Sequence, residues 1–297
     1  MERGQPGPGA QDLPRRFREI CADLALASHR MYRSTTLDRL NHLVIRGYKI
    51  LYRSRSGGGE RFVRFVARDF PAAVRADWRL FWLCSLMFWL PFFSMLWIAK
   101  VDLDWVRAML GPEQMASMEQ MYGSGEDQIA AFREEFGSNF AMFGFYIWNN
   151  IGIDFRIFAG GVIGGLGTMF YLIFNGLHIG AAAGYATYAC DPQAFWTFVA
   201  GHSAPELIGM IVAGMAGMKL GVGVLRPGRM SRGKSLAAAA KRSLPLVYGA
   251  GGMTLLAASI EGFWSAQAWE PVVKYSFGGV MWALHVGYFC FLGRRSP

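Results

Sequence analysis

Charge is scarce in this sequence. Only 17% of its 297 residues are Asp, Glu, Lys or Arg, where ordinary soluble domains carry about a quarter. That shortage excludes a chain made wholly of soluble domains, and it is unevenly spread. Residues 1–79 hold 16 Lys or Arg and 8 Asp or Glu, while most of the remaining chain is apolar and rich in Gly, Phe and Trp. One polar arm and one membrane domain are therefore expected, and not two soluble domains.

Cysteine is scarce as well. Cys21, Cys84, Cys190 and Cys290 are scattered, with no CxxC and no paired spacing, so the cysteines indicate neither a zinc site nor a disulfide framework. No GxSxG elbow occurs. The opening stretch MERGQPGPGAQDLPRR is polar and lacks the apolar core of a secretory signal. It reads as a disordered tail over residues 1–13, which leaves insertion to the first apolar span.

The net charge of +9 does not point to nucleic acid. The basic residues flank apolar stretches, where the positive-inside rule places them on the cytoplasmic face of a membrane. There they face anionic lipid headgroups. Residues 14–79 read as a helical arm that is cytoplasmic or juxtamembrane. Leu37, Leu40, Leu43, Val44 and Tyr48 recur at helical spacing, and SGGGE at 56–60 interrupts the pattern. RFVRFVARDFPAAVRADWR then resumes it as a basic amphipathic helix suited to a membrane surface.

Residues 80–297 read as the transmembrane domain. The first span is 80–99, interrupted by Pro91, and about 20 apolar residues cross a bilayer core. Residues 100–138 carry eight acidic residues against three basic ones, as expected of an external loop. The stretch 139–189 is too long for one span. The polar residues Asn149, Asn150, Asp154 and Arg156 are expected to divide it at a cytoplasmic-side turn. This gives a short second span at 139–153 and a third at 157–174, with 175–189 either continuing it or re-entering. Further spans are expected at 204–225, 244–263 and 275–292, with a basic loop at 226–242. Lys219, inside the fourth of these spans, is expected to reach toward the cytoplasm along its aliphatic stem. The fold class is thus all-α: a polytopic bundle of about six spans with a basic amphipathic N-terminal arm. Basic residues at both ends place both termini in the cytoplasm.

Glycines four apart recur: Gly160 with Gly164, Gly161 with Gly165, Gly180 with Gly184, and Gly217 with Gly221. Small residues at this spacing let helix backbones approach closely in lipid. The contact is either internal to the bundle or between copies in a homo-oligomer.

Polar residues inside spans are costly, at about 2.5–3.5 kcal/mol for a carboxylate on insertion scales. The topology collects Asn175, His178, His202, Glu206 and Glu261 at the external level of the bundle. They form either a hydrogen-bonded knot, a ligand or proton site, or a metal site. His202 and Glu206 are four apart, hence on one helix face. They match only part of an HExxH motif, whose second histidine and internal glutamate are absent. No catalytic residue, cofactor or metal is assigned from the sequence.

Several ordered segments carry a family resemblance. They are LNHLVIRGYKILYR (40–53), Asn149-Asn150, Asn175-Gly176 with Gly180, HSAPELIGMIVAGMAGMKLG (202–221), Arg226-Pro227-Gly228 and IEGFWS (260–265). Together they resemble the stage II sporulation protein M family of bacterial and archaeal membrane proteins, over about residues 15–292. Ser203 stands where that family commonly has glycine after the histidine. The resemblance implies a non-enzymatic scaffold or anchor for a cell-envelope complex in the bacterial inner membrane. Its partners would be lipids and other envelope or membrane proteins, including MoxR-type ATPases and von Willebrand factor A-type proteins. The alternative is a translocator of a small molecule or lipid that uses the external polar cluster.

Overall fold

The computed structural model describes residues 12–51, 57–123 and 137–294, and all regular structure among them is helical. The expected tail, apart from Asp12 and Leu13, lies outside the described residues, as does the acidic segment 124–136. The chain divides into two compact units, Met1–Phe62 and Val63–Pro297.

The first unit is a helical hairpin. Helix α1 (Leu13–His29) and helix α2 (Ser34–Leu51) are joined by a short turn through Met31, a non-glycine residue at φ 52°. Phe17 of α1 lies so close to Gly47 of α2 that a Cβ there would come within 2.6 Å of its ring. Leu26, Met31, Leu43 and Ile45 remain exposed.

The second unit begins within a helical run. Helix α3 (Gly58–Arg64), a π-helical turn at Phe65–Asp69 and helix α4 (Phe70–Ala76) succeed one another directly. Residues 63–79, grouped with the arm from the sequence, therefore pack with the bundle. Phe70 is buried and meets Phe289 edge to face, and Arg75 donates to the Phe289 carbonyl.

The bundle is built from α5 (Trp78–Val101), α6 (Leu103–Leu110), α7 (Pro112–Tyr122), α8 (Asn139–Ala159) and α9 (Leu166–Tyr188). It is completed by α10 (Pro192–Ala200), α11 (Ser203–Leu225), α12 (Arg232–Ile260), a π-helical turn at Glu261–Ser265, and α13 (Pro271–Phe291). Four segments are long and apolar enough to cross a membrane: α5, α9, α11, and α12 with its π turn. Helices α8 and α13 fall outside this set. Helix α11 is the central element, with 72% of its most apolar window buried.

Several sequence expectations are corrected. Asn149, Asn150, Asp154 and Arg156 form no turn, because α8 runs unbroken through all four. Tyr146, Asn150 and Asp154 are spaced by four and lie buried on one face, so their polar groups meet other helices and leave the backbone ladder intact. The reversal falls later, at Gly160–Gly165, where Gly164 and Gly165 adopt left-handed φ of 64° and 89°. Thr168 Oγ1 donates to the Ile157 carbonyl at 2.7 Å and caps the end of α8. The glycine pairs 160/164 and 161/165 therefore belong to this turn and not to a helix face. Residues 175–188 continue α9 and do not re-enter. Helix α12 starts at Arg232, inside the expected basic loop, with Ser231 at its N-cap.

Close helix approach is real elsewhere. Gly176, Gly180 and Gly184 line one face of α9. A Cβ at these positions would fall 2.4–2.5 Å from the Phe88 carbonyl, the Phe92 carbonyl and Ala99 Cβ of α5. On α11, Gly221 receives the backbone of Gly164 and Gly165 in the same way, and Gly217 faces Thr168 and the Ile157 and Phe158 carbonyls at the end of α8.

Candidate functional site

His202 occupies the N-cap position of α11, and Glu206 lies in its first turn. The intervening Pro205 suits that turn, because its missing N–H would have no helical partner there. Glu261 and Ser265 open and close the π turn after α12 and are both buried. Such turns are uncommon and frequent at functional sites. This one brings two polar side chains to face His202.

The three titratable groups converge. His202 Nε2 lies 3.9 Å from Glu206 Oε2 and 4.0 Å from Glu261 Oε1. One donor atom from each residue falls within 4.8 Å of the other two. The His202 side chain is only 5% exposed and that of Glu261 11%, so solvent does little to screen them. On its other edge the imidazole is fixed: Nδ1 sits 2.9 Å from Ser265 Oγ. The Phe198 ring lies edge-on to it at 5.5 Å. Lys274 is buried behind the site and donates to the Ser265 carbonyl at 3.0 Å.

The wall is supplied by other helices. Asn150 of α8 lies against the Glu261 carboxylate. Even so, Asn150 Nδ2 and Glu261 Oε2 both lack a hydrogen-bond partner among the described residues. Asn149 Nδ2 donates to Asn150 Oδ1 at 2.9 Å. Tyr122 of α7 and Tyr146 of α8 also feel the two glutamates. Tyr122 stands outside the spanning helices. Burial first, and the nearby glutamates second, push its phenol above the usual range. Asp154, one turn beyond Asn150, accepts a hydrogen bond from Thr254 of α12 and lies near enough to act on Glu206.

The structure thus brings together three of the five residues expected at the external level. Asn175 turns to its own helix, donating to the Tyr171 carbonyl at 2.7 Å. His178 pairs through Nε2 with Gln114 of α7 at 3.0 Å and stacks on Phe174. Of the four residues expected in a turn, Asn150 and Asp154 face the interior and Arg156 is exposed. Sequence reasoning missed Tyr146, Ser265 and Thr254. The four-residue spacing of Tyr146, Asn150 and Asp154 marks an inward polar stripe and is the available signal for the first. Ser265 and Thr254 are set by tertiary packing.

At the opposite end of α11, Lys219 does not reach out alone but pairs with Asp77, just before α5. The pair borders a cavity of about 330 Å³ shared with Arg226 and Arg242.

A metal ion would find suitable donors at His202, Glu206 and Glu261. Imidazole and carboxylate together suit transition-type divalent cations.

No curated protein and no solved structure matches the chain. The profile of a domain of unknown function matches residues 2–53, and so takes in the segment 40–53. The profile described as stage II sporulation protein M matches residues 83–266, from α5 to the end of the π turn, and includes all three converging residues. That match covers more than half of the 297 residues, and with the apolar helices already described, the chain belongs to the stage II sporulation protein M family of membrane proteins.

Proposed function

We propose that this protein is a non-enzymatic scaffold that anchors a cell-envelope assembly in the bacterial inner membrane. In this reading α8 and α13 also span, giving six crossings. At 21 residues each they are about 31 Å long, the thickness of a bilayer core. Both termini and the connection 226–231 face the cytoplasm, in keeping with the Arg and Lys distribution.

The observation that carries the reading is the division of labour between the two units. The bundle is locked by close helix contacts at Gly176, Gly180, Gly184, Gly217 and Gly221, which suits a rigid anchor. The hairpin is a separate unit with its own profile match and an exposed apolar set including Leu43 and Ile45, which suits recruitment. Envelope proteins, including MoxR-type ATPases and von Willebrand factor A-type proteins, are the proposed partners, alongside lipids and a second copy of the chain. The test is co-purification of the full chain from native membranes in mild detergent. Leu43→Glu with Ile45→Glu should remove the co-purifying proteins without lowering the amount of chain in the membrane. An unchanged set of partners would contradict recruitment by the hairpin.

A second reading, translocation of a small molecule or lipid, is favoured by the succession of the buried Glu261, the partly buried Glu206 and the buried Asp154. It requires that Glu206→Gln and Asp154→Asn leave assembly intact and abolish transport in proteoliposomes.

A further inference from the structure

We propose that His202, Glu206 and Glu261 bind one divalent cation of the zinc or manganese class, tying the start of α11 to the π turn after α12. The proposal does not depend on what the assembly does.

Four observations meet at this point. The first is directional. Ser265 Oγ holds Nδ1 of His202 at 2.9 Å, which leaves Nε2 facing both carboxylates; the tautomer in which Nδ1–H donates to Ser265 puts the free lone pair on Nε2. A hydrogen bond from the second ring nitrogen is the usual way a metal-binding histidine is oriented and its tautomer fixed.

The second is spacing. The 3.9 and 4.0 Å separations are too long for hydrogen bonds. Ligands at about 2.1 Å from a zinc-like ion stand roughly 3.4 Å apart in a tetrahedral shell. A contraction of about half an ångström along these two edges, with the two carboxylates drawing in from within 4.8 Å of each other, converts the present geometry into a first coordination sphere.

The third is an unmet need. Asn150 lies against the Glu261 carboxylate, yet Glu261 Oε2 and Asn150 Nδ2 are buried without a partner in full hydrogen-bond geometry among the described residues, and Asn150 is only 6% exposed. Native structures rarely leave such groups unsatisfied. A cation would bind the carboxylate directly, and a water on its fourth position would accept from Asn150.

The fourth is charge. The buried Glu261 and the partly buried Glu206 have no Arg or Lys within ion-pair distance among the described residues. Lys274 donates instead to the Ser265 carbonyl. A divalent ion with a neutral imidazole and two carboxylates leaves no net charge. Imidazole beside carboxylates selects zinc or manganese over calcium and magnesium, which prefer all-oxygen shells.

The test uses the full chain with a histidine-free tag, purified in mild detergent, stripped with chelator, then supplied with zinc or manganese chloride and desalted. Elemental mass spectrometry should find close to one equivalent per chain. The thermal midpoint should rise by at least about 5 °C on loading. Glu206→Gln and Glu261→Gln, which keep the shape and remove the anionic ligand, should each weaken binding at least tenfold. Wild-type protein that holds no more metal than the double Gln variant, or whose midpoint does not move, would overturn the proposal. Should a variant fail to fold, wild-type stoichiometry and the metal-dependent shift decide the question alone.

Discussion

Ser265 holds the imidazole of His202 through Nδ1 at 2.9 Å, across 63 residues of chain and from one end of a π turn to the cap of α11. This contact orients the ring toward Glu206 and Glu261. Ser265 is fully buried, so removing its hydroxyl strands a buried ring nitrogen. Ser265→Ala should lower stability by about 1–3 kcal/mol, read as a drop in the thermal midpoint in detergent. An unchanged midpoint would show that the ring needs no such support.

Glycine contacts give predictions of opposite sign. A Cβ at Gly180 would stand 2.5 Å from the Phe92 carbonyl, whereas one at Gly251 meets nothing within 4 Å. Gly180→Ala should destabilise by about 1–3 kcal/mol through forced helix separation. Gly251→Ala, in the middle of α12, should stabilise by up to about 1 kcal/mol, because glycine is a poor helix former. Comparison of the two midpoints checks both signs at once.

Lys219 and Asp77 make a partly buried pair between α11 and the residue before α5. Partial exposure limits its worth to about 1 kcal/mol. Asp77→Lys should lower the yield of folded protein, and adding Lys219→Asp should restore it. Failure of the swap to restore yield would assign the loss to something other than the pair.

Much of this was legible in the sequence, for identifiable reasons. The His202–Glu206 spacing fixes a shared helix face, and the alternation of spans returns Glu261 to the same depth. Depth alone does not give azimuth, which is why Asn175 and His178 fall elsewhere. Gly176 turns toward α5, and His178, two residues on, is rotated roughly 200° from it, to where Gln114 waits. The Asn149–Arg156 group misleads because local turn chemistry and an inward polar stripe use the same residue types. Only the partners on other helices, such as Thr254 for Asp154, distinguish them. Ser265 is adjacent to the signal, in the same short segment as Glu261, but the π turn that aims it is set by packing.

The proposed topology makes a labelling prediction. In a chain without native cysteines, a cysteine replacing Glu113 on α7 should react with an impermeant reagent added outside intact cells. A cysteine replacing Ser231, in the exposed connection before α12, should react only after permeabilisation. Reaction at Ser231 from outside would reverse the orientation.

The most direct test of the central claim, that His202, Glu206 and Glu261 act as one buried unit, is a double-mutant cycle of thermal stability on Glu206→Gln and Glu261→Gln in the detergent-purified chain. Groups sharing one site couple by about 0.5–3 kcal/mol. The account predicts that the double variant departs from the sum of the singles by at least the lower of these values. Strict additivity would contradict it.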